Sequence, residues 1–254
     1  MIENALDFLE QATVKLIDVE GESSKNYKYV ILHLSSAVEL LMKQCLFEEH
    51  WTLIFDDLRK VDKQRLISGD FNSVKFSDAL KRLKDICEIE FKDEHEKTLK
   101  RLKSERNKIE HYQVHISQVV AITTIVSTWS FIFEFISKHI LLDNDNSEQF
   151  EFIKKQIYQL EEYVNHRRDE IKPELQKLKK NDINIIECTS CGEITVPLFD
   201  RDTSCLYCNE TYEYPFKCNG GCGADVELSG DIYDLTFCFC SSCYDRIVLG
   251  RRGW

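Results

Sequence analysis

Nine of the chain's 11 cysteines fall between Cys188 and Cys243, in pairs close enough to chelate. Cys188-x2-Cys191 is followed after 13 residues by Cys205-x2-Cys208. Two such short loops supply the four thiolates of a tetrahedral Zn2+ site without needing a large core. Their flanks, "TSCGE" and "LYCNE", are polar and turn-forming, a poor setting for four buried free thiols. Further on, Cys218-x3-Cys222 precedes Cys238-x-Cys240-x2-Cys243, five thiols for a four-ligand site. Cys218, Cys222, Cys240 and Cys243 form the favoured set, because Cys240 and Cys243 make the commoner knuckle. Cys238 then lies on the strand face of Cys240 as a structural thiol; interleaved pairing of the four knuckles is the alternative. A catalytic zinc keeps a position open for water, and no histidine follows His166. The expectation is two structural Zn2+ ions per chain, neither used in catalysis.

A second chemistry-bearing stretch is "KSERNKIEHY", Lys103 to Tyr112. Lys97, Lys100, Arg101, Lys103, Arg106 and Lys108 face one acid, Glu105, within Lys97–Lys108. A solvated helix face is the ordinary reading of such a run, above all for Lys97, Lys100 and Lys103. In a chain of net charge -11 it is nonetheless a local exception. Histidine titrates near neutrality, so His111 can take the proton of an RNA 2′-hydroxyl or protonate the leaving oxygen. Arg106 can grip the scissile phosphate through two N–H groups, and Asn107 can donate to a phosphate oxygen or fix the His111 tautomer. Lys103, Lys108 and Tyr112 are the flanking RNA contacts. The chemistry is metal-independent cleavage leaving a 2′,3′-cyclic phosphate. Five residues apart on one helix, Arg106 and His111 diverge by about 140° and about 7.5 Å. Sharing one phosphate requires a bend after Ile109, or a second copy of the helix across a dimer axis.

These residues sit in a chain of two characters. Residues up to about 180 read as helices: Glu3–Asp18, Asn26–Glu48, a shorter one capped by Ser77, and one capped by Asp93 that carries Arg106 and His111. The uncharged run Ile116–Phe133 is interrupted by hydroxyl residues and followed by Glu134 and Lys138, so it reads as a buried bundle helix rather than a membrane span. From Ser147 to Lys180 one further helix is expected, its apolar spacing coiled-coil-like but read as an amphipathic face packed on its own bundle, with Pro173 kinking it or beginning a new helix. The fold expected is mainly α, an up-and-down helical bundle over residues 1–145. A connecting helix spans 146–182, and a small zinc-bound β-rich domain spans 187–254. The start, "MIENALDFLEQ", has neither basic nor apolar signal regions, so a cytoplasmic protein is expected, where thiols stay reduced for metals. Residues 187–254 hold 5 Lys and Arg against 11 Asp and Glu, a net of −6. Thiolate-bound zinc adds more negative charge, so the ribbons suit a protein-binding, regulatory or supporting role better than phosphate.

Arg106-Asn107-Lys108-Ile109-Glu110-His111 resembles the Arg-x(4–6)-His motif of the HEPN superfamily, often written Arg-Asn-x3-His. The stretch "YKYVILHLSSAVELLMKQCL", with Glu39 and Lys43, is similar to that superfamily's long second helix. The resemblance covers roughly residues 1–145. It implies a helical-bundle homodimer with a composite active site and, in many members, metal-independent endoribonuclease activity in toxin or antiviral systems, with an antitoxin or regulatory protein as partner. One subgroup carries a tyrosine two residues after the histidine; here Gln113 stands there and Tyr112 adjoins His111, which argues against control by nucleotidylation. The alternative is a non-catalytic HEPN-like dimer that binds RNA or a partner protein, with the zinc module as adaptor.

Overall fold

The computed structural model describes residues 1–17, 24–112, 117–199, 201–218, 220–226 and 239–247. It is mainly helical with a small C-terminal strand region, and it divides into one compact unit over Met1–Val164 and another over Asn165–Trp254.

In the first unit, α1 (Ile2–Ile17) and α2 (Ser24–Glu49) pair along their apolar stripes. Leu6, Leu9, Val30, Leu34, Leu41 and Leu46 are fully buried there. Leu6 and Leu9, and Val30, Leu34 and Leu41, are spaced by three, four or seven residues, which keeps one helix face turned inward. Tyr29, one residue out of that phase, is exposed. Two 3-10 turns (Trp51–Ile54 and Leu58–Lys60) lead to α3 (Lys63–Ser68) and α4 (Phe76–Asp85). Asp62 caps α3 through the backbone N–H groups of Gln64 and Arg65, and Gly69 ends it at φ +75°, a conformation that costs a residue without Cβ little.

The expected caps of the next two helices are displaced. Lys75 and Lys92 occupy the cap positions of α4 and α5 (Asp93–His111), and neither makes a side-chain cap bond. Ser77 and Asp93 instead lie in the first turns, where Asp93, Glu94 and Glu96 face the positive end of the α5 dipole.

The apolar run becomes α6 (Gln118–His139), buried almost all round. Thr124, Ser127 and Thr128 return their hydroxyls to the carbonyls of Val120, Thr123 and Thr124 at 2.6–2.7 Å, so they enter the core already hydrogen-bonded. Asn26–Glu49 and Gln118–His139 are long and apolar enough to cross a membrane, but 61% and 72% of those windows are buried inside the protein. Their apolar surface is thus largely covered by other helices.

The single helix expected over Ser147–Lys180 is two. Asp143 caps α7 (Asn144–Ile157) through Asn146 N–H at 2.9 Å. The chain turns at Tyr158–Leu160, and α8 (Glu161–Lys180) follows. Phe150, Tyr158 and Tyr163 close edge-on around Phe133, with centroids 5.4–5.8 Å away, so the turn serves aromatic packing in the core. Ile153 and Ile157 are buried in that core rather than presented to a coiled-coil partner. Pro173 lies inside α8, which runs past it to Lys180.

Among its described residues the second unit holds three antiparallel hairpins: β1 (Ile185–Glu187) with β2 (Ile194–Pro197), β3 (Thr203–Ser204) with β4 (Thr211–Tyr212), and β5 (Phe216–Lys217) with β6 (Asp225–Val226). The short α9 (Ser241–Ile247) completes the described part.

Candidate functional site

Each hairpin turn carries a cysteine pair. Cys188 N–H donates to Glu193 O at 2.9 Å, and Gly192 N–H returns to Cys188 O at 2.9 Å. The next turn repeats this: Cys205 N–H to Glu210 O at 2.8 Å, and Asn209 N–H to Cys205 O at 2.9 Å. The residue after each second cysteine, Gly192 or Asn209, is left-handed, at φ +73° and +63°. Glycine and asparagine are the residues that accept this backbone most cheaply. The turns thereby aim both thiols of a pair to the same side.

The thiols gather as Cys188, Cys191, Cys205 and Cys208, and as Cys218, Cys222, Cys240 and Cys243, each set with all sulfurs within 4.8 Å of one another. The grouping is sequential, not interleaved. Cys188 Sγ is 3.5 Å from Cys208 Sγ, Cys191 Sγ 3.7 Å from Cys205 Sγ, and Cys222 Sγ 3.6 Å from Cys240 Sγ. A disulfide would need about 2.05 Å. Four sulfurs about 2.3 Å from one tetrahedral metal lie about 3.8 Å apart. The cradle therefore fits a metal ion and leaves no position open for water. Cys238 lies outside the described residues.

Polar groups around the sulfurs favour thiolates. Thr195 Oγ1 and Tyr212 Oη lie 3.0 and 3.1 Å from Cys205 and Cys188 Sγ. In the second set the N–H groups of Cys240 and Gly220 point to Cys218 Sγ at 3.3 and 3.4 Å, and Arg246 Nη2 lies 3.6 Å from Cys243 Sγ. Hydrogen bonds from Cys191, Cys205 and Cys208 hold the Cys188 thiol well below its ordinary range, while the contact with Cys188 leads in pushing Cys191 up. The Cys240 N–H leads in bringing Cys218 down to about 6, while the contact with Cys222 leads in pushing Cys243 up to about 12. Metal binding to such a cluster releases the protons its thiols hold.

The residues that support the first cluster carry no sequence signal. Arg167 of α8, 6% exposed, donates through Nε to Tyr207 O at 3.0 Å and through Nη2 to Leu206 O at 2.5 Å. Those carbonyls belong to the turn between Cys205 and Cys208. Arg168 reaches Glu193, beside the other turn, at 2.6 Å. In the second cluster, a Cβ on Gly220 would stand 2.6 Å from both Cβ and Sγ of Cys243.

The Arg106 stretch occupies the end of α5, which runs without a break to His111; Tyr112 N–H still donates to Lys108 O at 2.9 Å. A bend after Ile109 is therefore absent, and Arg106 and His111 leave the helix in different directions. His111 and Tyr112 are exposed, and Gln113 and His115 lie outside the described residues. Arg106 Nη1 is 2.8 Å from Glu110 and 3.2 Å from Asn107 Oδ1. Lys108 pairs with the buried Glu105 at 2.6 Å, Lys100 with Glu96 at 3.2 Å, and the Lys103 ammonium stands 5.6 Å over the Phe76 ring. The local excess of positive charge is smaller than the residue count implies. In α2, Lys43 bonds Glu39 at 2.6 Å and Ser73 Oγ at 2.9 Å, which ties the helix to the segment before α4.

His95 gains a partner that the sequence did not reveal. Its Nε2 lies 3.3 Å from Glu134, a buried carboxylate also held by Lys92 at 3.0 Å and Lys138 at 2.7 Å. Burial alone would raise the Glu134 carboxyl, but His95, Lys138 and Lys92 together hold it well below the usual range.

No family model, curated protein or solved structure matches this chain.

Proposed function

We propose that this chain is a HEPN-type endoribonuclease that cleaves RNA without a metal to 2′,3′-cyclic phosphate ends, acts as a homodimer, and holds two structural zinc ions. Its cellular role is that of a cytoplasmic toxin or antiviral effector restrained by an antitoxin or regulatory protein. The observation that carries this reading is the unbroken α5, which ends at the exposed His111 beside the exposed Tyr112. One copy presents Arg106 and His111 too far apart to share a phosphate; two copies facing across a symmetry axis bring an Arg106 and a His111 to the same cleft. The all-sulfur ligand sets suit Zn2+, whose closed tetrahedral sites contribute folding energy and no chemistry.

The test is RNA cleavage by the zinc-loaded protein with chelator added only to the reaction, compared with His111→Ala and Arg106→Ala. Loss of a general acid–base group costs about 10²–10⁴-fold in rate, and cleavage should fall accordingly. If neither variant differs from wild type, or wild type cleaves no RNA, the enzyme reading fails. The Arg106–Glu110 pair favours the second reading, a non-catalytic RNA- or protein-binding dimer with the zinc module as adaptor, since it already occupies the guanidinium.

A further inference from the structure

The two cysteine clusters differ in how their sulfurs are guarded. In the first, Cys188, Cys205 and Cys208 are buried and Cys191 is half-buried. In the second, Cys218 and Cys243 are buried, Cys240 is half-exposed and Cys222 is exposed. Nitrogen donors divide the second cluster along the same line. Cys218 Sγ receives the N–H groups of Cys240 and Gly220, and Cys243 Sγ has the Arg246 guanidinium beside it. Among the described residues, Cys222 and Cys240 Sγ have no such donor and stand 3.6 Å from each other. A hydrogen bond to a thiolate draws off the electron density with which it attacks, so these two sulfurs are the more nucleophilic as well as the more exposed. Cys222 sits between Gly221 and Gly223, both with nothing within 4 Å of where a Cβ would stand, so its turn has room to move. Closing the pair from 3.6 Å to disulfide length takes about 1.5 Å of motion. Cys188 and Cys208 are as close, at 3.5 Å, but both are buried. Access, not distance, singles out Cys222 and Cys240.

We propose that Cys222 and Cys240 form an oxidation site, at which hydrogen peroxide converts the pair to a disulfide and opens the second metal site. The Cys222 thiolate attacks a peroxide oxygen, the O–O bond breaks and hydroxide leaves, giving a sulfenic acid. The Cys240 thiolate then attacks that sulfur and displaces a second hydroxide as the S–S bond forms. Two solvent protons turn the hydroxides into water, so one peroxide is reduced as two thiolates are oxidised. Cys218 and Cys243 remain, two ligands where a closed tetrahedral site needs four. A thiol reductant reverses the change, because a disulfide yields to thiolate attack. The proposal rests on the reading that both clusters hold Zn2+, and not on RNA cleavage.

The experiment treats the full zinc-loaded protein with hydrogen peroxide in slight excess, measures bound metal after gel filtration, and maps disulfides by mass spectrometry of unreduced peptides. About two ions per chain before treatment and about one after are expected. A Cys222–Cys240 cross-link should accompany the loss, and dithiothreitol with added Zn2+ should restore the second ion. A single ion, or none, before treatment would remove the zinc reading and this proposal with it. Retention of both ions after treatment would overturn the proposal alone. So would release with no cross-link, or with one through Cys238, Cys243 or the first cluster. Cys222→His offers nitrogen in place of sulfur to the ion and should stop both the release and the cross-link. If that variant loses its second ion to peroxide as readily as wild type, the proposal fails; if it holds no second ion, the wild-type cross-link decides.

Discussion

Arg106 and Glu110 stand one turn apart on α5, with Nη1 2.8 Å from the carboxylate, so the guanidinium proposed to bind phosphate already has an internal anion. Both side chains are more than a third exposed, and such a pair is worth only about 0.3–0.5 kcal/mol. A phosphodiester monoanion, offering two oxygens to the guanidinium, competes with so weak a pair. Glu110→Gln should raise RNA affinity or cleavage by roughly twofold, the factor that energy allows, and leave thermal stability nearly unchanged. Initial rates at low salt would show this; a decrease would mean that Glu110 positions Arg106 rather than restrains it.

Gly220→Ala should cost the second metal site. The new methyl would stand 2.6 Å from Cys243 and 3.3 Å from Cys218 Sγ, so the sulfurs must separate beyond the span of one tetrahedral ion. Metal analysis is expected to give about one ion per chain in place of about two. Two ions retained would show that the turn relaxes around the methyl.

The Arg167 guanidinium holds two carbonyls of the turn between Cys205 and Cys208, with Glu170 at 2.7 Å as its counter-charge. Arg167→Met keeps much of the aliphatic stem but removes those bonds, at an expected cost of about 2–3 kcal/mol. The loss should appear as lower melting of the C-terminal unit and faster metal release to a chelator, with the first unit unaffected.

Metal should leave the two clusters in order. Cys222 is exposed and Cys240 half-exposed, while Cys188, Cys205 and Cys208 of the other cluster are buried. Competition with a chromophoric chelator should therefore be biphasic, and Cys222→Ser should abolish the faster phase. A single phase of two ions would contradict this order.

Acid should destabilise the helical unit in two stages. Burial leads in lowering His33 and His139 from the ordinary 6.5. The unfolded chain then binds more protons than the folded one, and stability falls as pH drops through about 6.5. The Glu134 carboxyl is held below its ordinary 4.5, so its contribution is complete above that value and declines as pH falls further. Melting temperatures from pH 8 to 3 should fall in both windows. Glu134→Gln should flatten the lower one; an unchanged acid limb would mean that other carboxylates govern it.

The cysteine spacing and the helical periodicity were legible in the sequence because both are local. A chelating knuckle needs only a turn of a few residues with a left-handed position after it, here Gly192 or Asn209. A buried helix needs only apolar residues every three or four positions, as α1, α2 and α6 have. The eight proposed ligands follow from that local geometry, whereas their sequential rather than interleaved grouping is set by the fold.

What depends on distance along the chain was settled by tertiary structure alone. Arg167 and Arg168 read as surface charges on a helix until the fold sets them against turns 25 to 40 residues away. Glu134 reads as the polar end of an apolar run until Lys92, His95 and Lys138 converge on it. The Lys103 ammonium of α5 reads as one more exposed cation until the fold sets it over the Phe76 ring of α4. A side chain's charge is set by its residue type, but its partner is set by packing. That is why the composition of both candidate sites could be read from the chain, and their electrostatics could not.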